Sequence, residues 1–172
     1  MPIRHKFYDL RVSARTQTLI IGTFNPDVAN NSADFFYGRA QNHLWRILPS
    51  AFGEGSLKNA DKSAKLDFCA RHKIDFIDLI EEIGLDYLSG FEDKIIDCHV
   101  TKWRDIFSAI DGAPELKKIC LTRKSFGGAR NIEKRWLEVE NRYKDRLIAA
   151  RLITPSRFYD EAKQKEWNAF LL

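Results

Sequence analysis

Apolar and polar positions alternate along the chain in short segments that switch between strand-like and helix-like spacing. Thr18 to Gly22 is a β-branched apolar run that ends in glycine, which is typical of a buried central strand. Ile74 to Ile80 alternates like a strand, and Lys118 to Thr122 and Arg146 to Ile153 are two further strand candidates. Because helix-like segments lie between them, the pattern predicts strands joined by helices.

Five segments carry apolar residues at helical spacing. They are His43 to Ala51, Ser63 to Lys73, Thr101 to Ile110, Asn131 to Tyr143 and Asp160 to Leu171. Thr101 is the expected N-cap of the third helix, and Pro49 is expected to end or bend the first. Strands connected by helices pair in parallel through right-handed crossovers. The sequence therefore predicts a single α/β domain over residues 1–172, a three-layer α/β/α sandwich with a central, mainly parallel four-stranded sheet.

The composition fits such a domain, since 44% of the 172 residues are hydrophobic and 30% are charged. The longest apolar runs, such as Leu19 to Gly22, are far shorter than the roughly 18 residues that a membrane span requires. The first ten residues contain early charge and no continuous apolar stretch, so we expect no secretory signal. We therefore expect a cytoplasmic monomer without a membrane partner, associated with the nucleoid if the protein is bacterial.

The sequence offers no pattern for a metal or a cofactor. Its three cysteines lie more than twenty residues apart, at Cys69, Cys98 and Cys120, which fits neither a disulfide framework nor a CxxC metal knuckle. Three cysteines are also too few for an iron–sulfur cluster held by four thiolates of one chain. The four histidines form no HExxH or i, i+4 pair, so we expect no metal site and no cofactor.

Charge is distributed unevenly behind a formal net charge of +4. Residues 1–116 carry a local charge of −3 and residues 117–172 a local charge of +7. Much of the excess lies between Lys117 and Arg157, which favours binding to a polyanion such as nucleic acid. The alternative is a solvated helix face with ion pairs to Glu133, Glu138, Glu140 and Asp145. Charge alone does not choose between them.

The first candidate for chemistry is GTFNPD, directly after the leading strand. Pro26 pushes Asn25 into an extended conformation and leaves its amide free to point into a cleft. An asparagine there can orient a water or a substrate carbonyl, but its carboxamide is too weakly basic to act as a general base. The alternative is that NPD is an ordinary turn.

The second candidate is DFFYGRAQNHLWR, where Phe35, Phe36 and Tyr37 lie on a polar loop and Asn42 precedes a helix. Loops run over the surface, so these aromatics suit a stacking platform for a planar base, although at least one should pack inward. Among the carboxylates of DFIDLIEE, Asp78 is the one that we expect to be shielded from solvent.

Two later loops combine hydroxyls with cations. In LITPSRFY, Ser156 can donate a hydrogen bond to a phosphate and Arg157 can contact a phosphate or enter a groove, unless the loop merely caps a helix. RKSFGG places Lys124 and Ser125 after a strand, as phosphate-binding loops do, but it lacks the GxxxxGK[ST] spacing of a nucleotide P-loop.

The order of these motifs resembles the uracil-DNA glycosylase superfamily, and most closely its mismatch-specific uracil-DNA glycosylase and hypoxanthine-DNA glycosylase branches. The mismatch-specific branch has an Asn-Pro pair after the first strand, then an aromatic, an Asn and a Trp, and a late proline–serine loop. The matching positions here are Asn25-Pro26, Tyr37, Asn42, Trp45 and Leu152 to Ser156.

The likeness to the hypoxanthine branch rests on other positions. Gly22-Thr23-Phe24 is similar to its Gly-Ser-Phe. Within Phe76 to Ile96, the residues that match its Trp-Asp and Ser-Leu-Asp-x-x-Ile segments are Asp78, Asp93 and Ile96.

The resemblance implies a monofunctional DNA glycosylase without a cofactor, which hydrolyses the N-glycosidic bond of a flipped deaminated or mismatched base of the uracil or hypoxanthine class. It implies that Asn25 holds the attacking water and that Asn42 supports its loop or binds the base edge. The implied substrate-binding residues are Thr23, Phe24, Pro26, Phe36, Tyr37 and Asp78, with Tyr37 or Phe36 stacked on the base. The implied DNA-binding residues are Lys124, Ser125, Thr154, Pro155, Ser156, Arg157 and Phe158, of which the last two would brace the vacated stack.

Two other functions stay open at this point. One is a catalytically inactive nucleic-acid-binding relative that keeps the fold and the basic surface. The other is an enzyme that acts on a nucleoside or nucleotide. The second has no need for a basic surface long enough to hold a duplex, so the charge between Lys117 and Arg157 favours DNA.

Overall fold

The computed structural model describes residues 2–84 and 90–172, and residues 85–89 of the Phe76 to Ile96 segment lie outside this description. In chain order the elements are β1 (Ile3–Arg4), β2 (Thr18–Gly22), α1 (Leu44–Ala51), α2 (Lys62–His72), β3 (Ile74–Asp78), β4 (Ile80–Ile83), α3 (Asp93–Ile96), a 3-10 turn (Asp97–His99), β5 (Val100–Trp103), α4 (Ile106–Asp111), β6 (Lys118–Leu121), α5 (Arg130–Tyr143), β7 (Ile148–Arg151) and α6 (Glu161–Leu171).

The central sheet has four strands in the order β3-β2-β6-β7, and every neighbouring pair is parallel. Thr18 pairs with Ile74 on one side and with Lys118 on the other, so the strands begin at the same level and their carboxyl ends meet at one edge. The four predicted strands and the helices between them are present, with shifts of a few residues at their ends. The strand predicted from Ile74 to Ile80 ends at Asp78, and Ile80 begins β4, which belongs to another sheet.

Each face of this sheet has its own hydrophobic core, which makes the three predicted layers. Leu19 and Ile21 point to the face covered by α4 and α5, where Trp136 is fully buried. Ile20 points to the face covered by α1, α2 and α6, where Trp45 is 1% exposed. The alternation follows from the period of two in a strand, and it explains why β2 is apolar throughout.

A second sheet was not predicted, and it corrects the expected start of the third helix. The sheet is antiparallel, in the order β1-β4-β5, and places Thr101 in β5, where Val100 pairs with Ile83. Helix α4 begins only at Ile106, because Asp105 is the N-cap and its carboxylate accepts the backbone N–H of Ser108 at 3.2 Å. The preference of Asp for the cap position outweighs the Thr101 signal.

Pro49 lies inside α1 and does not end it at that point. A proline lacks the N–H that would bond the carbonyl four residues earlier, which here belongs to Trp45. The backbone N–H of Leu57 donates to that carbonyl at 2.8 Å, so the turn after the helix satisfies the group that the proline leaves free.

The N-terminus of α5 is capped from another element. Asp97, in the 3-10 turn, is 8% exposed and its carboxylate accepts the backbone N–H groups of Asn131 and Ile132, at 3.1 and 2.7 Å. The Asn131 side-chain amide donates to the same carboxylate at 3.1 Å. These bonds satisfy free amides of the first turn and place a negative charge at the positive end of the helix dipole.

We expect Asp97→Ala to lower the free energy of unfolding by about 2–3 kcal/mol, because it leaves buried donors without an acceptor and removes the dipole interaction. Urea denaturation measures this change. Asp145→Ala is the control, since Asp145 is exposed and should shift stability by less than about 0.5 kcal/mol. Equal effects of the two substitutions would contradict the capping role.

Candidate functional site

A cleft of about 710 Å³ opens at the edge where the carboxyl ends of the parallel strands meet. Its walls come from the segments that follow β2, β3, β6 and β7 and from the loop between residues 36 and 42. Ligands of open α/β sheets collect at this edge, because the loops there are free to carry function while the strands hold them in place.

The cleft brings together thirteen of the fifteen predicted site residues. They are Thr23, Phe24, Asn25, Phe36, Tyr37, Asn42, Asp78, Lys124, Ser125, Thr154, Pro155, Ser156 and Arg157. Pro26 does not line the cleft, because it is buried and pairs with His5. Phe158 does not line it either. It is 57% exposed near the end of the late loop, residues 152–159, and the Lys163 ammonium lies 4.2 Å from its ring centre.

Asn25 is held rigidly at the cleft floor. Its backbone carbonyl accepts the N–H of Lys6 at 2.8 Å, and its side-chain Oδ1 accepts a hydrogen bond from Asn31 Nδ2. The orientation of Asn31 is fixed from both ends, since its Nδ2 also donates to the Pro26 carbonyl and its Oδ1 accepts the Ala33 N–H. The Asn25 amide therefore presents its Nδ2 donors and the second lone pair of Oδ1 to the cleft.

Asp78 ends β3 beside Asn25 and is 7% exposed. Its Oδ2 lies 2.7 Å from Nε2 of His5, which is 2% exposed. Shielding of Asp78 agrees with the sequence analysis. The pairing of His5 with Asp78 was missed, because a single histidine in the first residues carries no motif and the pairing of β1 with β4 brings it near Asp78.

Gly22 is required at the end of β2 by close approach. A Cβ atom at this position would lie 2.3 Å from Asp78 Oδ1 and 2.7 Å from the Tyr37 hydroxyl, both far inside van der Waals contact. The glycine thus lets a carboxylate and a phenol approach the strand backbone from two neighbouring segments.

The side chains of the aromatic loop, residues 35–42, lie partly in the hydrophobic core and partly at the cleft. Phe35 and Phe36 are 4% and 3% exposed, and Phe36 stacks on Phe76 at 5.6 Å. Two of the three rings therefore belong mainly to the core, and Phe36 is poorly placed as an exposed stacking platform. The reason is local: Trp45 Nε1 donates to the Phe36 carbonyl at 2.7 Å and draws this part of the loop inward.

Tyr37 is the ring of that loop that remains partly accessible at the cleft. Its backbone is left-handed, with φ of 57°, and its hydroxyl lies 3.3 Å from Thr122 Oγ1. Burial, reinforced by the charge of Asp78, raises the pKa of the Tyr37 phenol well above its usual value. The phenol is therefore a neutral hydrogen-bonding group over the whole physiological pH range.

An ion pair on the opposite wall was not predicted as part of the site. Arg123 Nη1 contacts Asp93 Oδ2, and the Thr23 hydroxyl donates to the same oxygen at 3.2 Å. Burial raises the pKa of the Asp93 carboxyl, while Arg123 and Thr23 oppose that shift. The positions of Thr122 and Arg123 directly after β6 are the sequence signal that could have identified this wall, since the ends of the other parallel strands, β2, β3 and β7, also lead into residues that line the cleft.

The late loop is pinned to the aromatic loop. The His43 N–H donates to the Pro155 carbonyl at 2.8 Å, and the Arg157 N–H donates to the Gln41 carbonyl at 2.9 Å. Trp167 Nε1 holds the start of this loop through the Ile153 carbonyl at 3.0 Å. These bonds fix Ser156 and the exposed Arg157 at the mouth of the cleft.

Four polar side chains that line the cleft already have partners within the protein. Asn42 Oδ1 accepts the Leu44 N–H at 2.9 Å at the start of α1, which leaves its Nδ2 donors for the cleft. The Thr154 and Ser156 hydroxyls lie 2.8 Å apart, so they act as a coupled pair. Lys124 forms an ion pair of 2.7 Å with Glu166 and is a weaker anion ligand than an unpaired lysine.

Half of the twelve cations in the basic segment between Lys117 and Arg157 are engaged in ion pairs of the fold. These six cations are Arg123, Lys124, Arg135, Arg142, Arg146 and Arg151. Their partners include two of the acids expected from the sequence, Glu138 and Glu140. The Asp97 cap also uses amides at the start of α5, which weakens the phosphate-loop interpretation of RKSFGG. Within the described ranges, Arg39 and Arg157 line the cleft without an ion pair.

The described residues contain neither a candidate metal cluster nor a candidate membrane span. Among residues 2–84 and 90–172, no group of three His, Cys, Asp or Glu side chains is placed to hold a metal ion. No helix in the described part of the chain is long and apolar enough to cross a membrane.

Comparison with known proteins identifies a shared fold. No family model matches the sequence, and no curated protein matches it. Among solved structures, the chain is similar to the solution NMR structure of a putative uracil DNA glycosylase from Methanosarcina acetivorans, with 20% identity and a TM-score of 0.69. The match covers 93% of this chain and 91% of the other. This protein therefore shares its α/β fold with a uracil DNA glycosylase-like structure.

Proposed function

We propose that the protein is a DNA glycosylase that hydrolyses the N-glycosidic bond of a flipped deaminated or mismatched base, of the uracil or hypoxanthine class. The observation that carries the proposal is the rigid Asn25 amide on the floor of a cleft at the carboxyl edge of the sheet. The fold shared with the Methanosarcina structure supports the same assignment, since that protein is described as a putative uracil DNA glycosylase.

The size of the cleft suits this substrate. Its volume of about 710 Å³ lies within the range of 300 to 1,000 Å³ found for small-molecule sites, so a single nucleoside can enter it. A base inside a duplex cannot reach such a cleft and must be flipped out, at a cost of a few kcal/mol that is smallest for a mismatched or damaged base.

The chemistry needs a placed water and fixed charges more than a strong base. During hydrolysis the sugar gains oxocarbenium character and the base leaves with negative charge. Asn25 can accept a hydrogen bond from the attacking water at the second lone pair of Oδ1. The Nδ2 groups of Asn25 and Asn42 and the Arg123 guanidinium are fixed donors that can stabilise the departing base.

The rim of the cleft is suited to the DNA backbone. Arg39 and Arg157 are exposed cations, and Ser156 adds a hydroxyl between them and the cleft. Phosphate contacts of this kind position a duplex without reading its sequence. The Phe158 ring is next along the chain and 57% exposed, and in this proposal it fills or braces the stack that the flipped base leaves.

We expect Phe158→Ala to weaken binding to a duplex with a damaged base about tenfold, because the inserted ring offsets part of the unstacking cost. Fluorescence anisotropy with a labelled duplex measures the Kd. Ile148→Ala is the matched control, since Ile148 is 62% exposed on β7 and away from the cleft. Equal Kd values for the Phe158→Ala and Ile148→Ala variants would remove Phe158 from the interface.

The proposal is tested with labelled oligonucleotides that contain uracil, hypoxanthine, xanthine or a mismatched thymine. Each is incubated with the protein, and alkali then converts abasic sites to strand breaks. Scission at one or more of these bases supports a glycosylase. Salt-sensitive DNA binding without any scission favours an inactive binding relative. Hydrolysis of free nucleosides with intact oligonucleotides favours a nucleoside enzyme.

A further inference from the structure

The His5–Asp78 pair beneath the cleft is not explained by the mechanism above. Both side chains are buried, and Asp78 reaches the cleft while His5 does not line it. A buried carboxylate costs free energy unless it is well hydrogen bonded, so its presence at the floor of the cleft calls for a role. The two residues lie 73 positions apart in the chain, and the fold brings them within 2.7 Å.

The hydrogen bonds determine the state of the histidine. The backbone N–H of Phe7 points at His5 Nδ1 with an N···N distance of 3.0 Å, so Nδ1 is the acceptor and carries no proton. The proton of the neutral ring is then on Nε2, which donates to Asp78 Oδ2. The aromatic rings of Phe7, Phe24 and Phe36 pack around the imidazole, with their ring centres 5.5 to 6.0 Å from its own.

This arrangement leaves one Asp78 oxygen for the cleft. Oδ2 is occupied by His5, and Oδ1 lies against Gly22, which also lines the cleft. No hydrogen bond to Oδ1 is present within the described residues. A carboxylate whose second oxygen is fixed by a donor offers only hydrogen-bond acceptance at its first.

We infer that Asp78 Oδ1 accepts a hydrogen bond from a ring N–H of the bound base, and that His5 is the positioning residue that fixes it as an acceptor. The inference rests on the proposed function and deepens it to a class of substrate. Deamination turns a ring nitrogen with a lone pair into a ring N–H: N3 of cytosine becomes N3–H of uracil, and N1 of adenine becomes N1–H of hypoxanthine. A fixed acceptor bonds the deaminated base and repels the lone pair of its parent.

The test compares binding to single-stranded oligonucleotides with 2′-fluoroarabino nucleotides, which resist hydrolysis. Uracil is compared with cytosine, and hypoxanthine with adenine, so that each pair differs only by deamination. In the Asp78→Asn variant, His5 Nε2–H holds the amide oxygen and the NH₂ group faces the cleft. We expect at least one preference for the deaminated base to fall tenfold or more, because a donor now faces the ring N–H.

His5 is tested separately with two variants. His5→Gln keeps an N–H donor near Asp78, and we expect it to retain the wild-type preference within about threefold. His5→Leu removes the donor, and we expect the preference to fall at least fivefold while thermal unfolding shows a folded protein. A merely structural histidine would change stability in both variants without moving the ratio of the two Kd values.

The outcomes separate this inference from the proposed function. Excision of a deaminated base by the wild type, with unchanged preferences in Asp78→Asn, would overturn the inference and leave the glycosylase assignment in place. Absence of any excision by the wild type would overturn the assignment itself, and the base-reading role with it. If His5→Leu does not fold, the Asp78→Asn ratio alone decides the reading role, and unchanged preference in a folded His5→Ala, which has no donor, would overturn the role of His5.

Discussion

Replacing Asn25 by alanine should lower the single-turnover rate of base excision by at least 100-fold. Loss of one fixed polar group that acts on the transition state typically costs a factor of 10² to 10³. The fold should survive, because Asn31 Nδ2 keeps the Pro26 carbonyl as a partner and the backbone bond to Lys6 does not involve the side chain. The rate is measured as abasic sites formed with enzyme in excess over a labelled substrate.

Asn30→Ala is the matched control, since Asn30 is an exposed asparagine on the same loop. It should retain the wild-type rate within about twofold, as surface substitutions usually do. Full activity in Asn25→Ala together with a loss in Asn42→Ala would contradict the account at this point and move the water-holding role to Asn42.

Adding one methyl group at Gly22 should also disable the site. The new Cβ would clash with the Asp78 carboxylate and the Tyr37 phenol, at 2.3 and 2.7 Å, and both side chains are held by further contacts. We expect Gly22→Ala to reduce excision at least tenfold and to lower the free energy of unfolding by about 1–3 kcal/mol through overpacking. Single-turnover rates and urea denaturation measure the two effects.

Gly55→Ala separates this steric effect from the general cost of replacing a glycine. A Cβ at Gly55 has open space around it, and its backbone is not left-handed, so the substitution should change stability by less than about 0.5 kcal/mol and leave activity unaltered. A Gly22→Ala protein as active as Gly55→Ala would mean that Asp78 and Tyr37 do not need their observed positions.

Local pattern was sufficient for the central sheet and its helices. The run from Thr18 to Gly22 is apolar on both faces because each face supports a separate core, and this is visible in the sequence. The small antiparallel sheet was missed because β1 and β5 gain their pairing from β4, and neither has a pattern of its own. Thr101 illustrates the error, since its cap signal was real but Asp105 provides a better one four residues later.

The sequence predicted the site residues that lie at the ends of strands. It did not predict the residues that distant segments of the chain bring into contact with them. Asn25, Asp78 and the late loop lie at strand ends, so order along the chain already located them. His5 and Asp93 enter from outside the parallel sheet, and no spacing rule connects them to the cleft. The two interpretations of the basic segment could not be separated from the sequence, because composition cannot distinguish a free cation from one paired with an acid remote in sequence.

The central claim is that the cleft hydrolyses an N-glycosidic bond in DNA. The most direct measurement follows a uracil- or hypoxanthine-containing oligonucleotide with purified protein and detects the free base by mass spectrometry and the abasic strand by its mass. We expect equal amounts of free base and intact abasic strand before any treatment with alkali. In Asn25→Ala, neither product should rise above background. The opposite result would be that these oligonucleotides keep their mass and release no free base under conditions where the protein binds them, and it would contradict the glycosylase assignment.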